Sequence, residues 1–166
     1  MFLLRISGVA VVCLLATLAQ AQSKTASAAS YIERGNHWLS QGETERAIED
    51  FNLAIVFDAA SAVAYYNRGL ARYRKGDFEG ALGDYNKAIQ INAHYLDAYL
   101  NRGAVYATLG NLAAASSDVN RALEINPRSS LARAQRSAVL FLTGEIEKAL
   151  FEANEAIKLD RRNAPA

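Results

Sequence analysis

Cysteine is nearly missing from this chain. The single residue, Cys13, leaves no pair for a disulfide framework, and with only two histidines there is no Cys/His cluster for structural zinc. Proline is almost as scarce, at two residues, so little interrupts helical stretches. No charge of one sign dominates: 18 basic residues face 17 acidic ones, so there is no basic excess to neutralise a phosphate backbone, which excludes a nucleic-acid partner. Gly76, Gly80 and Gly83 cluster, but no Lys-Ser/Thr follows them, so they form no phosphate-binding loop. What the 166 residues do have is 51% hydrophobic content, enough to bury a core and to exclude a disordered tail. Abundant Ala, Leu, Glu, Arg and Asn point to an all-helical fold.

The one long apolar run lies at the start. Met1 to Arg5 is short and basic, Val9 to Leu18 is apolar, and Ala19-Gln20-Ala21 places small residues just before Gln22. This is the pattern of a secretory signal peptide over residues 1–21, cleaved after Ala21. The alternative is an uncleaved membrane anchor, although the run is short for a permanent span. Cleavage removes Cys13 and Arg5, leaving a cysteine-free, charge-balanced chain suited to an oxidising compartment, periplasmic or secreted, and free of membrane attachment. Residues 22–28 read as a flexible lead-in.

The rest repeats every thirty-four residues. Gly42, Gly76, Gly110 and Gly144 share one register; Gly35, Gly69 and Gly103 share another, completed by Ser137. Ala47, Ala81, Ala115 and Ala149 keep step, as do Ala54, Ala88, Ala122 and Ala156. Four units follow: 28–61, 62–95, 96–129 and 130–163. Each reads as two helices around a turn glycine. Gly76 is expected to be left-handed, with Asp77, and Asn111 in the next unit, capping the second helix. The small residues Gly69 and Ala81 allow close helix approach, and one such hairpin cannot cover its own apolar face, so neighbours must stack on it.

These columns resemble the tetratricopeptide repeat. The second unit supplies Tyr65, Gly69, Ala81, Tyr85 and Ala88; the third supplies Tyr99, Gly103, Tyr106, Ala115, Ala122 and Pro127. Departures are the missing prolines at Ala59, Ala93 and Arg161, Arg72 in place of an aromatic, and a worn, terminal fourth unit with Arg133, Ser137 and Ala153. The resemblance implies a right-handed α-solenoid of four helix-turn-helix repeats.

Two polar columns stand out. Arg34, Arg68, Arg102 and Arg136 are each followed sixteen residues later by Asp50, Asp84, Asp118 and Glu152. Each pair flanks its turn glycine by eight residues on either side, which puts the two side chains level in an antiparallel hairpin. Four structural ion pairs are expected in preference to a charged ligand ladder. Asn52, Asn86 and Asn120 precede Asn67, Asn101 and Gln135 by fifteen residues, which suggests amide hydrogen bonds from each second helix to the next unit's first.

The resemblance further implies a concave groove, lined by the first helices, that holds a protein or peptide. Carried over by position, it would contain Ile32, Asn36, Leu39, Tyr66, Asn67, Leu70, Tyr73, Arg74, Leu100, Asn101, Thr108, Phe141 and Leu142; for Leu70 and Leu142, packing between helices is an equal reading. Relatives that clamp chaperone carboxylates use two lysines and an arginine. Here those places hold Ile32, Asp97 and Asn101, so that activity is excluded. His37 and His94 are isolated, Trp38 reads as core, and no catalytic pair can be assembled, so no enzyme and no cofactor is expected. Ile146, Leu150, Ala153 and Ile157 form a stripe that a fifth unit would cover. It is expected to dock a homodimer partner or another protein, making an envelope assembly subunit the alternative function.

Overall fold

The computed structural model describes residues 27–163. The signal segment lies outside the described residues. Among them are eight helices and no strand: α1 (Ala28–Ser40), α2 (Thr44–Phe57), α3 (Ala62–Lys75), α4 (Phe78–Ile91), α5 (Leu96–Thr108), α6 (Leu112–Ile125), α7 (Ser130–Leu142) and α8 (Ile146–Asn163). None of the described helices is long and apolar enough to cross a membrane.

The local chemistry sets the boundaries. The Asp77 carboxylate accepts from the Gly80 N–H at 2.9 Å, and Asn111 accepts from the Ala114 N–H at 3.2 Å, so both cap as expected. Ser61 and Ser129 cap α3 and α7 in the same way. The turn glycine between the helices of each hairpin has positive φ, 84° at Gly76, a conformation that a side chain would strain.

Each helix packs antiparallel on the next, and each odd-numbered helix also touches the next odd-numbered one. No described even-numbered helix touches another even-numbered one. The odd helices therefore crowd along the inner wall of a solenoid, and the even ones spread along its outer wall. Glycine makes the close approach inside the first three hairpins, and Ser137 takes its place in the fourth. A methyl group on Gly35 would lie 2.6 Å from the Phe51 ring, and one on Gly69 would lie 2.8 Å from the Tyr85 ring.

The core is a series of clusters that bridge hairpins. Ala71 of α3 sits among Leu39, Ala47 and Phe51 of the first hairpin. Val105 of α5 sits against Ala81 and Tyr85 of the second, and Ala132 of α7 against Leu100, Val119 and Ala122 of the third. One hairpin thus supplies a hollow and its successor supplies a small side chain to fill it.

Candidate functional site

The arginine ladder is built as the spacing predicts, then departs from it at the end. Arg34 grips Asp50 through Nε at 2.7 Å and Nη2 at 2.5 Å. Arg68 holds Asp84 at 2.9 and 2.6 Å, and Arg102 holds Asp118 at 2.8 and 2.6 Å. All these acids are buried. The Asp118 carboxylate beside Arg102 raises that guanidinium above its ordinary range, chiefly through the hydrogen bond, and Asp50 does the same for Arg34. In the fourth hairpin Glu152 takes its shorter contact from Arg133 at 2.9 Å, with Arg136 at 3.4 Å. Arg133 replaces the tyrosine of its column, and an arginine one turn away competes for the acid. Arg72 likewise stands in an aromatic column and adds a third donor to Asp84 at 2.8 Å.

The expected amide-to-amide bonds between hairpins are not the ones formed. Asn52 accepts from Arg68 Nη1, and Asn86 accepts from Arg102 Nη1, both at 2.6 Å. The free edge of each guanidinium, already held on its other side by its own aspartate, reaches back to the preceding hairpin. The amides of Asn67 and Asn101 turn instead along the inner wall. Asn67 donates to Asn36 Oδ1 at 2.9 Å, and Asn101 donates to the Tyr66 hydroxyl at 3.0 Å.

That wall is largely consumed by packing. Leu100 is 1% exposed, and Leu39 and Asn67 are also buried, so these three lie within the interfaces instead of lining an open groove. Leu70 is half-buried against the Leu39–Phe51 cluster, and Tyr73 is half-buried with its ring 5.8 Å from Phe78. Tyr66 sits 4.9 Å from the Tyr95 ring, an aromatic the column pattern did not single out. Burial pushes the Tyr66 phenol up and that of Tyr95 to about 12. Arg74 is exposed but donates to the Leu39 carbonyl at 3.1 Å, and Thr108 is exposed and bonded to its own helix. Ile32 is half-buried and Asn36 is exposed.

Most of the exposed large apolar residues lie elsewhere, on the last hairpin, with Leu53, Val56, Phe57, Val63 and Leu109 scattered outside it. Phe141, Leu142, Ile146, Leu150 and Ile157 are each more than half exposed, Leu150 reaching 64%. Phe141 and Leu142 of α7 meet Ile146, Leu150 and Ala153 of α8 around one hollow of about 610 Å³. A second hollow of about 400 Å³ lies beside Leu131, Ala134, Ala156 and Ile157. Two residues assigned to the groove by column, Phe141 and Leu142, therefore join the terminal stripe. Leu131 and Phe151, both exposed, belong to the same hairpin and were overlooked. In the Phe151 column the other units carry Glu49, Gly83 and Ser117, so an aromatic there is a visible departure.

A third cavity, between Asn120, Arg136 and Phe151, contains Glu152, already held by two arginines. His37 bonds Gln41, His94 is exposed in a loop, and among the described residues no three His, Cys, Asp or Glu side chains are grouped to hold a metal. Trp38 is half-buried, its ring covered by Arg46 at 5.0 Å.

Hairpins of this geometry, with glycine at each turn and at the close helix contact of the first three, define a helical-repeat scaffold. The chain belongs to the tetratricopeptide repeat family: models described as TPR repeat match residues 35–76 and 69–110, and one described as tetratricopeptide repeat matches 96–129. The first TPR of Spaghetti (RPAP3), solved bound to the HSP90 peptide SRMEEVD, is 30% identical with a TM-score of 0.68, over 70% of this chain and 93% of that one. The second TPR domain of human RPAP3, solved with the HSP70 peptide SGPTIEEVD, is 32% identical with a TM-score of 0.65, over 68% and 93%. A crystal structure of MamA shares the fold at 23% identity and a TM-score of 0.76, over 85% and 82%. No curated protein sequence matches the chain significantly.

Proposed function

We propose that the protein is an exported, non-catalytic interaction scaffold whose main docking surface is the apolar face of α7 and α8. One observation carries this reading. The large side chains at Phe141, Ile146, Leu150 and Ile157 stand open. The same columns in the second hairpin, at Tyr73, Phe78, Leu82 and Ile89, are partly buried against its neighbours. Exposed apolar surface of this extent marks a protein contact. The signal pattern supports a periplasmic or secreted location, with Gln22 as the first residue of the mature chain; N-terminal sequencing of the exported protein checks this. Chemical crosslinking in the native envelope fraction tests the surface. Leu150→Asp removes the crosslinked product, whereas an unchanged product rejects the assignment.

A second reading places a peptide on the inner wall. It is supported by the half-buried or exposed Ile32, Asn36, Tyr66, Arg74 and Thr108, and by the peptides seen on the two RPAP3 domains. An acidic peptide terminus like theirs is disfavoured here. Asn36 and Asn67 bond each other, Asn101 is engaged by Tyr66, and Asp97 is exposed where a cation would be needed. Tyr66→Glu, and not Leu150→Asp, abolishes capture if this wall is the site.

A further inference from the structure

We infer that the terminal face takes an amphipathic helix of a partner protein, one that carries small apolar residues seven positions apart with an arginine four positions after the first. This rests on the reading of that face as a docking surface, and it names what docks. The recognition rule is written in the chain's own junctions. The first helix of every later hairpin presents the same triplet to the hairpin before it: Ala64, Arg68 and Ala71 on α3; Ala98, Arg102 and Val105 on α5; Ala132, Arg136 and Val139 on α7. All six small residues are buried. Seven residues are two helical turns, so both small side chains point at the same neighbour about 10 Å apart.

Three of the six are seen seated in a hollow of the hairpin before them. Ala71 and Val105 enter the cluster made by positions that correspond to Phe141, Ala149 and Ala153 of the last hairpin. Those residues line the 610 Å³ hollow. Ala132 enters the cluster whose counterparts are Ala134, Ala156 and Ile157, and those line the 400 Å³ hollow. Both receptacles of a repeat junction are therefore present and open on α7 and α8. The arginine has its counterpart too. Arg68 and Arg102 reach back to Asn52 and Asn86, and Asn154 holds the same column in the last hairpin.

The opposite end of the array does not offer such a helix. On α1 the triplet is Ser30, Arg34 and His37, flanked by exposed Glu33 and Gln41. Inserting a hydroxyl and an imidazole into apolar hollows strands polar groups, so head-to-tail stacking of copies through α1 is disfavoured.

The test uses two fluorescent, helix-constrained peptides and the purified protein. One peptide has the α5 sequence, residues 96–108, and the other the α1 sequence, residues 28–40. Anisotropy titration is expected to show saturable binding of the α5 peptide and at least about tenfold weaker binding of the α1 peptide. Leu150→Asp and Phe141→Ser are each expected to weaken the α5 peptide by about tenfold or more with unchanged circular dichroism. Both residues are more than half exposed, so folding is spared. Asn154→Ala is expected to act only on a peptide that keeps its arginine. Equal binding of the two peptides, or an α5 affinity indifferent to both substitutions, overturns the proposal. Sedimentation separates the two levels. Self-association broken by Leu150→Asp, with no peptide binding, makes a second copy the occupant and refutes the helix rule while the docking face stands. If neither assay responds to Leu150→Asp, both fall.

Discussion

Removing Asp84 and removing Asp50 delete the same carboxylate from equivalent rungs of the arginine ladder, yet the consequences should differ severalfold. Asp84 is 3% exposed at its side chain and accepts from Arg68 and from Arg72, which are themselves only 16% and 27% exposed. Asp84→Ala leaves two guanidinium groups in a desolvated junction without their acceptor. Breaking a buried pair in this way costs about 3–5 kcal/mol. Asp50 is nearly as buried, but its partner Arg34 is 55% exposed and lies over the Tyr31 ring in the first described hairpin. After Asp50→Ala that arginine turns into water, so the loss stays near the ~1 kcal/mol of a surface pair. For a domain of this size the difference is a fall in melting temperature of roughly 10–20 °C against a few degrees. Thermal unfolding followed by far-UV circular dichroism reads it directly. A double-mutant cycle on Arg68 and Asp84 then reports a coupling of about 1–3 kcal/mol. Equal losses for the two aspartates, or an additive cycle, would falsify the view that burial of the arginine sets the strength of each rung.

Glycine substitutions in the second hairpin should have opposite signs. Gly69→Ala places a methyl 2.8 Å from the Tyr85 ring and destabilises by about 1–3 kcal/mol, whereas Gly83→Ala meets nothing within 4 Å in an exposed helical position and stabilises by about 0.8–1 kcal/mol in urea melts. Desolvation holds the phenols of buried Tyr85 and half-buried Tyr66 and Tyr95 above the ordinary value of 10. Their contribution is complete below that unfolded value and is lost as pH rises through the folded ones. Stability should therefore hold to about pH 10 and fall from there to about pH 12, with Tyr66, Tyr85 and Tyr95 ionising alongside unfolding in residue-resolved NMR titration; free ionisation of these three in the folded protein at pH 10 would contradict it. Tyr66→Glu and Leu150→Asp should separate the two candidate surfaces in crosslinking, only one of them removing the product.

What could be read from residues alone was whatever a period of thirty-four carries. Helix stops, caps, close approaches and the Arg–carboxylate rungs depend on positions inside one hairpin, and the columns fix those. Contacts between hairpins were harder. The spacing of Asn52 and Asn67 was symmetric about a loop, but the guanidinium of Arg68 is longer and charged, and it takes the amide oxygen first. The inner wall was legible only in part, for a related reason. Column position says which way a side chain points, not whether the next helix closes over it, so Leu39 and Leu100 are packed while Phe141, in the Leu39 column, lies open. Exposure at the end of the array follows from the absence of a described neighbour there, and the apolar stripe on α8 was readable because a repeat shows what each column normally buries.

Keeping every acid and its arginine inside one hairpin has a consequence for length. Each unit sets its buried acid against an arginine of its own before it meets another, so stacking further units adds no uncompensated buried carboxylate along the solenoid. Cohesion between hairpins then rests on small side chains entering hollows and on short guanidinium and amide hydrogen bonds such as Arg68 to Asn52. Among the described residues, the exposed Lys75–Glu45 pair is the junction contact that salt readily screens. Units of this kind should therefore join with only a modest loss of strength as salt rises.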